Sequence, residues 1–183
     1  MNAKYVTAAK PKKGGSAFRA PVGTTLPTGA DSELNEAFKG LGYISTDGVT
    51  NANSPTSNKQ TAWGGDTVLN TMADRPDDFK FKLIEGLNPE VLKSVYGDEN
   101  VEGDAETGMT VKVGNADPEQ FAWVFDMVQK GGIAKRIVIP AASLSALEEI
   151  KYIDSDAVGY GITISAVPDT SGYTHYEYFK KKV

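Results

Sequence analysis

The sequence predicts a mainly β fold: an antiparallel β-sandwich or barrel flanked by one α-helix at about residues 88–96, with a long protruding loop at about residues 45–66. Three observations carry that expectation. From Ser16 onward apolar residues recur with a period of two, the signature of strands with one face turned to a core. Gly, Asp, Asn and Pro separate these runs at short spacing, the pattern of antiparallel sandwiches and barrels. A single segment breaks the period with both a helix start and a helix stop signal.

Residues 1–15 mix Lys4, Lys10, Lys12 and Lys13 with Pro11, Gly14 and Gly15, a composition that predicts a flexible amino-terminal arm. In Asp78–Glu85, Phe79, Phe81 and Leu83 fall on one face and Lys80 and Lys82 on the other, which describes a strand with one wet face. Met109, Val111 and Val113 repeat the alternation. Trp123, Phe125 and Met127 do so against Val124, Asp126 and Val128, and Ile137 with Ile139 and Ile162 with Ile164 and Ala166 follow. The helix is expected at Asn88–Gly97. Asn88 suits the cap, Pro89 the first turn, Glu90 the positive end of the dipole and Gly97 the stop. Val91, Leu92, Val95 and Tyr96 form its apolar face, and so short a helix requires a sheet beneath that face. Residues 143–153 fit a helix in their first half and a strand in their second. The last segment, from about residue 170, is expected to be a terminal strand or arm.

Between Ser45 and Thr61 only Val49 and Ala52 are apolar. Structureless loops beyond about 12–15 residues are uncommon in compact domains, and those that occur are usually functional or disordered. The tract offers Thr, Ser, Asn and Gln with one Lys and one Asp, groups that hydrogen-bond a surface but supply no base, nucleophile or metal site. It therefore points to contact with another molecule. Trp63, at its foot, and Trp123 are expected as core anchors.

Composition narrows the remaining choices. A chain of 183 residues fits one domain, 1–183, and buries roughly 70% of its unfolded surface on folding. With no Cys, disulfides, thiolate zinc sites and a catalytic thiol are excluded. No run of about 18 apolar residues provides a membrane anchor, and no signal peptide is expected. The net charge of −5, without a stripe of Lys and Arg interleaved with aromatics, opposes direct nucleic-acid recognition.

Little in the chain has catalytic spacing. His175 is the only histidine, and its segment Tyr173–Phe179 marks it as a surface or packing residue. No nucleophile elbow, phosphate-binding loop or dinucleotide motif accompanies it. Asp98, Asn100 and Glu102 with Gly103 match the start of a calcium loop, but Met109 stands where the bidentate carboxylate is needed. The acidic pairs Asp77–Asp78 and Glu148–Glu149 read as solubility features. Expectations are accordingly no catalytic residue, no cofactor and no metal. An enzyme is the weakest reading, and a non-catalytic β-sandwich binding module on a virion or cell surface is the alternative to a self-assembling structural subunit.

The order of several short motifs resembles the major tail tube protein of long-tailed, siphovirus-type bacteriophages. They are Gly15–Pro21, Leu41–Thr50, Ala62–Asp66, Glu85–Asn88, Arg136–Pro140, Ala157–Tyr160, and Ala166–Asp169 through His175–Tyr178. The resemblance implies a β-sandwich with one flanking helix, assembled as hexameric rings that stack into a tube passed by the genome and the tape-measure protein. It implies a virion protein made and assembled in the host cytoplasm, whose partners are other copies of itself and the tape-measure, tail-tip and tail-terminator proteins. DNA would traverse the lumen without sequence-specific binding. The 45–66 loop would mediate ring stacking through Asp47, Thr50, Asn51, Asn53, Pro55, Thr56, Asn58, Lys59 and Trp63. Some relatives add a carboxy-terminal immunoglobulin-like domain, for which this sequence leaves no room.

Overall fold

The period-two segments form strands, and every strand pairing is antiparallel. The computed structural model describes residues 1–181. In chain order it contains a 3-10 turn Ala3–Tyr5, β1 (Ala9–Pro11), β2 (Ala17–Pro21), β3 (Lys39–Gly40), β4 (Ile44–Asn53), β5 (Thr56–Thr61), β6 (Thr67–Asp74) and β7 (Asp77–Leu83). The helix α1 (Pro89–Tyr96) and a second 3-10 turn Asp98–Asn100 follow. Then come β8 (Val101–Asp104), β9 (Gly108–Val111), β10 (Gln120–Gln129), β11 (Ile133–Leu147), β12 (Tyr160–Ala166) and β13 (Tyr176–Lys181). The chain is mainly β, with an antiparallel sheet and one α-helix, as the sequence indicates.

The main sheet runs β3-β2-β10-β11-β12-β7-β4, with β1 beside β10 and β13 beside β11. β10 and β11 are its axis. On its outer side β10 is bordered first by β2, at Phe121–Phe125, and then by β1, at Met127–Gln129. β11 is bordered by β13 up to Val138 and by β12 from Ala142. Pro140 lies in the gap between those two neighbours, where its missing N–H interrupts neither ladder on that side.

Two strands separate β7 from β10 in the sheet, a span of about 14 Å in a flat one. Yet Phe81 meets Phe125 and Trp123 with ring centroids 5.0 and 5.8 Å apart, and Phe79 meets Phe125 at 6.2 Å. The sheet therefore coils over itself around an aromatic core. Phe79, Phe81 and Leu83 line that core beside Trp123, Ile139, Ile162 and Ile164, all buried. The other face of β10 and β11, with Ala122, Val124 and Val138, is covered by the long connection between β2 and β3 through Leu26, Leu34 and Phe38. β10 is buried on both sides, so the polar residues on it need partners. Asp126 finds one in Arg136, directly opposite across the Gly131–Gly132 turn, through contacts of 2.6 and 2.8 Å. Arg136 also donates to the Gly29 and Ser32 carbonyls and so ties the covering connection to the sheet.

The helix begins and ends where its residues require. Asn88 Oδ1 accepts from the Glu90 N–H at 3.0 Å, and the Gly97 N–H closes the last turn on the Lys93 carbonyl. Val91, Leu92 and Val95 are buried, and Tyr96 packs edge-on against Tyr160. Gly42, at φ +71°, admits the Glu85 carboxylate into the space a side chain would occupy. That carboxylate accepts from the Tyr43 N–H and from Asn88, joining the start of β4 to the helix cap.

Several expectations change. Ser143–Leu147 is strand and Ile150–Ile153 has no regular structure, which resolves the ambiguous segment. Residues 1–15, expected as a flexible arm, are mostly exposed, but Ala9–Pro11 is hydrogen-bonded to β10 and Lys12 reaches Asp126 at 3.1 Å. Residues 182 and 183 of the expected carboxy-terminal arm lie outside the described residues. Residues 45–66, expected as a protruding loop, are not structureless, and only those after Asn53 leave the main sheet. Ser45–Asn53 belongs to β4, and the remainder builds a β-ribbon with β6.

Candidate assembly surface

Among the described residues β5 and β6 pair only with each other, from Thr56 opposite Asp74 to Thr61 opposite Thr67, with register shifts after Thr56 and after Gln60. The ribbon continues the β4–β7 pair, whose last partners are Asn53 and Asp77. Between the two ladders lie Ser54–Pro55 on one chain segment and Arg75–Pro76 on the other. Continued from the flanking pairs Asn53–Asp77 and Thr56–Asp74, Pro55 falls opposite Arg75 and Pro76 opposite Ser54, so each segment has a residue without an N–H and the ladder breaks there. Arg75 Nε donates to Asn53 Oδ1 at 2.6 Å across the break. The tip is a turn at Ala62–Asp66, closed by Ala62 N–H to the Asp66 carbonyl. Gly64 and Gly65 take positive φ values of 117° and 97° that other residues rarely adopt.

Every residue from Ser54 to Pro76 is exposed. The apolar ones among them are large: Trp63 is 107% exposed, Met72 68%, Val68 63% and Leu69 51%. A register shift at Val68 interrupts the alternation of β6, and Val68, Leu69 and Met72 all remain at least half exposed within the subunit. A two-stranded hairpin alone is marginal in water, and large exposed apolar side chains on it favour a contact outside the chain.

The residues singled out from sequence divide between body, root and ribbon. Asp47, near Ser45 Oγ, and Thr50, opposite Lys80, lie on β4 in the body. Asn51 and Asn53 form the root. Pro55 is in the break, Thr56, Asn58 and Lys59 are on β5, and Trp63 is at the tip. Trp63 thus corrects the expectation of a core anchor: the ribbon carries it away from the sheet, while Trp123 is 1% exposed as anticipated.

The root contains a site that sequence reasoning missed. Asp77, expected as a solubility feature, has no exposed side-chain surface. Its Oδ1 accepts from Asn51 Nδ2 at 2.7 Å, and its Oδ2 accepts from Thr174 Oγ1 and meets His175 Nδ1, each at 2.5 Å. Burial pushes the Asp77 carboxyl up, but the hydrogen bonds from Thr174, Asn51 and His175 outweigh it and hold the group below the usual carboxylate range. His175 also meets the Phe79 ring edge-on at 5.2 Å. The cluster fastens the segment before β13 to the foot of the ribbon. Its partners are 97 and 98 residues away in the chain, beyond any local pattern. The exposed apolar residues of β6 were visible in Val68, Leu69 and Met72, one strand past the tract that drew attention.

The calcium-like residues are otherwise engaged. Asp98 accepts from Arg19 at 2.5 Å, Asn100 donates to the Tyr96 carbonyl and Glu102 pairs with Lys112. Among the described residues no group of three or more metal-ligating side chains is gathered in one place, and no helix is long and apolar enough to cross a membrane.

Comparison with curated proteins gave no match. A family model described as phage tail tube protein matches residues 3–183, nearly the whole chain. This chain, with its coiled antiparallel sheet and one flanking helix, therefore belongs to the phage tail tube protein family, as a structural component of the virion tail.

Proposed function

We propose that the subunits form hexameric rings that stack into the tail tube, the conduit for genome delivery, and that the β5–β6 ribbon bridges successive rings. The observation that carries this reading is the ribbon itself, a pair of strands that joins no other strand among the described residues and leaves Trp63, Val68, Leu69 and Met72 exposed. Asp47, Thr50, Asn51, Asn53, Thr56, Asn58 and Lys59 supply hydrogen-bonding groups along and below it, and Pro55 marks the break between them. The same reading gives the subunit contacts with tape-measure, tail-tip and tail-terminator proteins, and a lumen through which DNA slides. A chain of net charge −5 favours sliding over sticking, because like charge repels the phosphates. A head-to-tail contact between rings leaves each new end identical to the last, so it propagates without closing.

Electron microscopy of the purified chain tests it. The expected result is stacked rings with six-fold end views. A variant in which residues 55–75 are replaced by a short glycine-containing turn should keep its circular dichroism spectrum and melt, since those residues carry no core, but form no long tubes. Wild-type protein that stays monomeric at high concentration and with added tail-tip components would overturn the reading.

A further inference from the structure

The long strands β10 and β11 end in opposite charge. At one end, around the 130–132 turn, stand Lys10, Lys130 and Lys181, with Lys13 further along the edge of β10, just past Lys12, whose N–H bonds to the Asp126 carbonyl. β1 lies against the last residues of β10, the Lys130 N–H bonds to the Ala8 carbonyl, and Lys181 is opposite Ile133. At the other end stand Asp117 and Glu119 just before β10, Glu149 just after β11, and Asp154 in the loop leading to β12. All eight side chains are exposed, and among the described residues none of the eight makes an ion pair. The neighbouring Lys12, Lys180, Glu148 and Asp156 are already paired, with Asp126, Asp31, Lys80 and Lys82 respectively. Lys151 offsets one charge of the acidic end.

The ten residues of β10 hold the two ends about 30 Å apart. The Debye length is about 8 Å at physiological ionic strength, so the two sets do not neutralise each other within a subunit. The ribbon leaves the sheet from the Asp77 end of β7, the end that points the same way as the lysine end of β11. The exposed Leu87 and Tyr152 lie past the opposite end, with the carboxylates.

We propose that the lysine end of one copy docks on the carboxylate end of the next, so that charge fixes the polarity of stacking. This rests on the tube reading and names the surfaces that meet. Opposed like ends repel and unlike ends attract, which excludes head-to-head pairing and selects the one orientation that repeats.

The experiment uses the full chain and two charge-reversed variants. One carries Lys10→Glu, Lys13→Glu, Lys130→Glu and Lys181→Glu; the other carries Asp117→Lys, Glu119→Lys, Glu149→Lys and Asp154→Lys. Each should fold by circular dichroism, because every altered group is exposed. Each alone should form no tubes by sedimentation and microscopy. An equimolar mixture should form them, since each then supplies the charge the other lacks. Tubes from either variant alone, or no tubes from the mixture, would overturn the proposal while leaving the tube reading intact if wild-type protein assembles. Failure of wild-type protein to assemble would overturn both. Should a variant not fold, wild-type elongation between low and high salt decides: the expected slowing is about tenfold or more, and no salt dependence overturns the proposal.

Discussion

Asp77 is the single side chain on which most of the ribbon's root depends. Its carboxylate is fully buried and receives Asn51 from β4 together with Thr174 and His175 from the segment before β13, so it joins the β4–β7 pair to a segment that has no strand pairing with either. Asp77→Asn turns an NH2 group towards these donors and leaves buried partners unmet, a loss of about 2 kcal/mol. For a chain of this length the melting temperature should fall by about 4–8 °C, measured near neutral pH by circular dichroism. The pH dependence has a definite sign. Because the folded-state carboxyl lies below its ordinary value of 3.8, its contribution is complete above that value and is lost as pH falls through the lower, folded one. The wild-type and Asp77→Asn melts should therefore converge in strong acid. Convergence absent, or no difference at neutral pH, would show that the cluster does not hold the root. Nothing near Asp77 in sequence announced this role, since adjacent Asp residues on a strand edge look like solvated charge. The Asp126–Arg136 pair was closer to legible: a Gly-Gly turn midway between them places the two opposite each other in a tight hairpin.

At the scale of elements, the strands and the helix followed from periodicity and capping residues because both faces of each element were decided locally. β7 is the clearest case, with Asp77, Phe79, Phe81 and Leu83 buried and the intervening residues at least partly exposed. The helix is the second, and it makes its own prediction. Val95 is 8% exposed on the face that packs towards β8 and β12, so Val95→Asp places an unpaired carboxylate in the core. A loss of about 3 kcal/mol or more is expected, seen as a lowered midpoint in a urea titration. An unchanged midpoint would mean that the helix does not depend on that face. The ribbon was illegible for the opposite reason. Its strands bury nothing, so hydrophobic patterning had nothing to mark, and a polar, Thr-rich and Asn-rich β-ribbon looks like a loop. The break at Pro55 and Pro76 further hid its continuity with β4 and β7.

For the whole molecule, the coiled sheet supplies the rigid body and the surface supplies the unfinished business. The family and fold class were legible because order of motifs and strand period are distributed over nearly the whole chain. The proposed assembly surface was legible only as a tract lacking a core role, since nothing within the subunit covers it. Charge shows the same division: the net value of −5 was plain from composition, but its sorting to opposite ends of β10 and β11 needed the strand register. Trp123 lies in the core and Trp63 stands wholly in water at the ribbon tip, so the chain carries an internal optical reference and an external sensor. In a Trp123→Phe variant that retains its fold, fluorescence comes from the tip alone. If the tip is covered when copies associate, its emission should shift to the blue and resist quenching by iodide in step with growing light scatter.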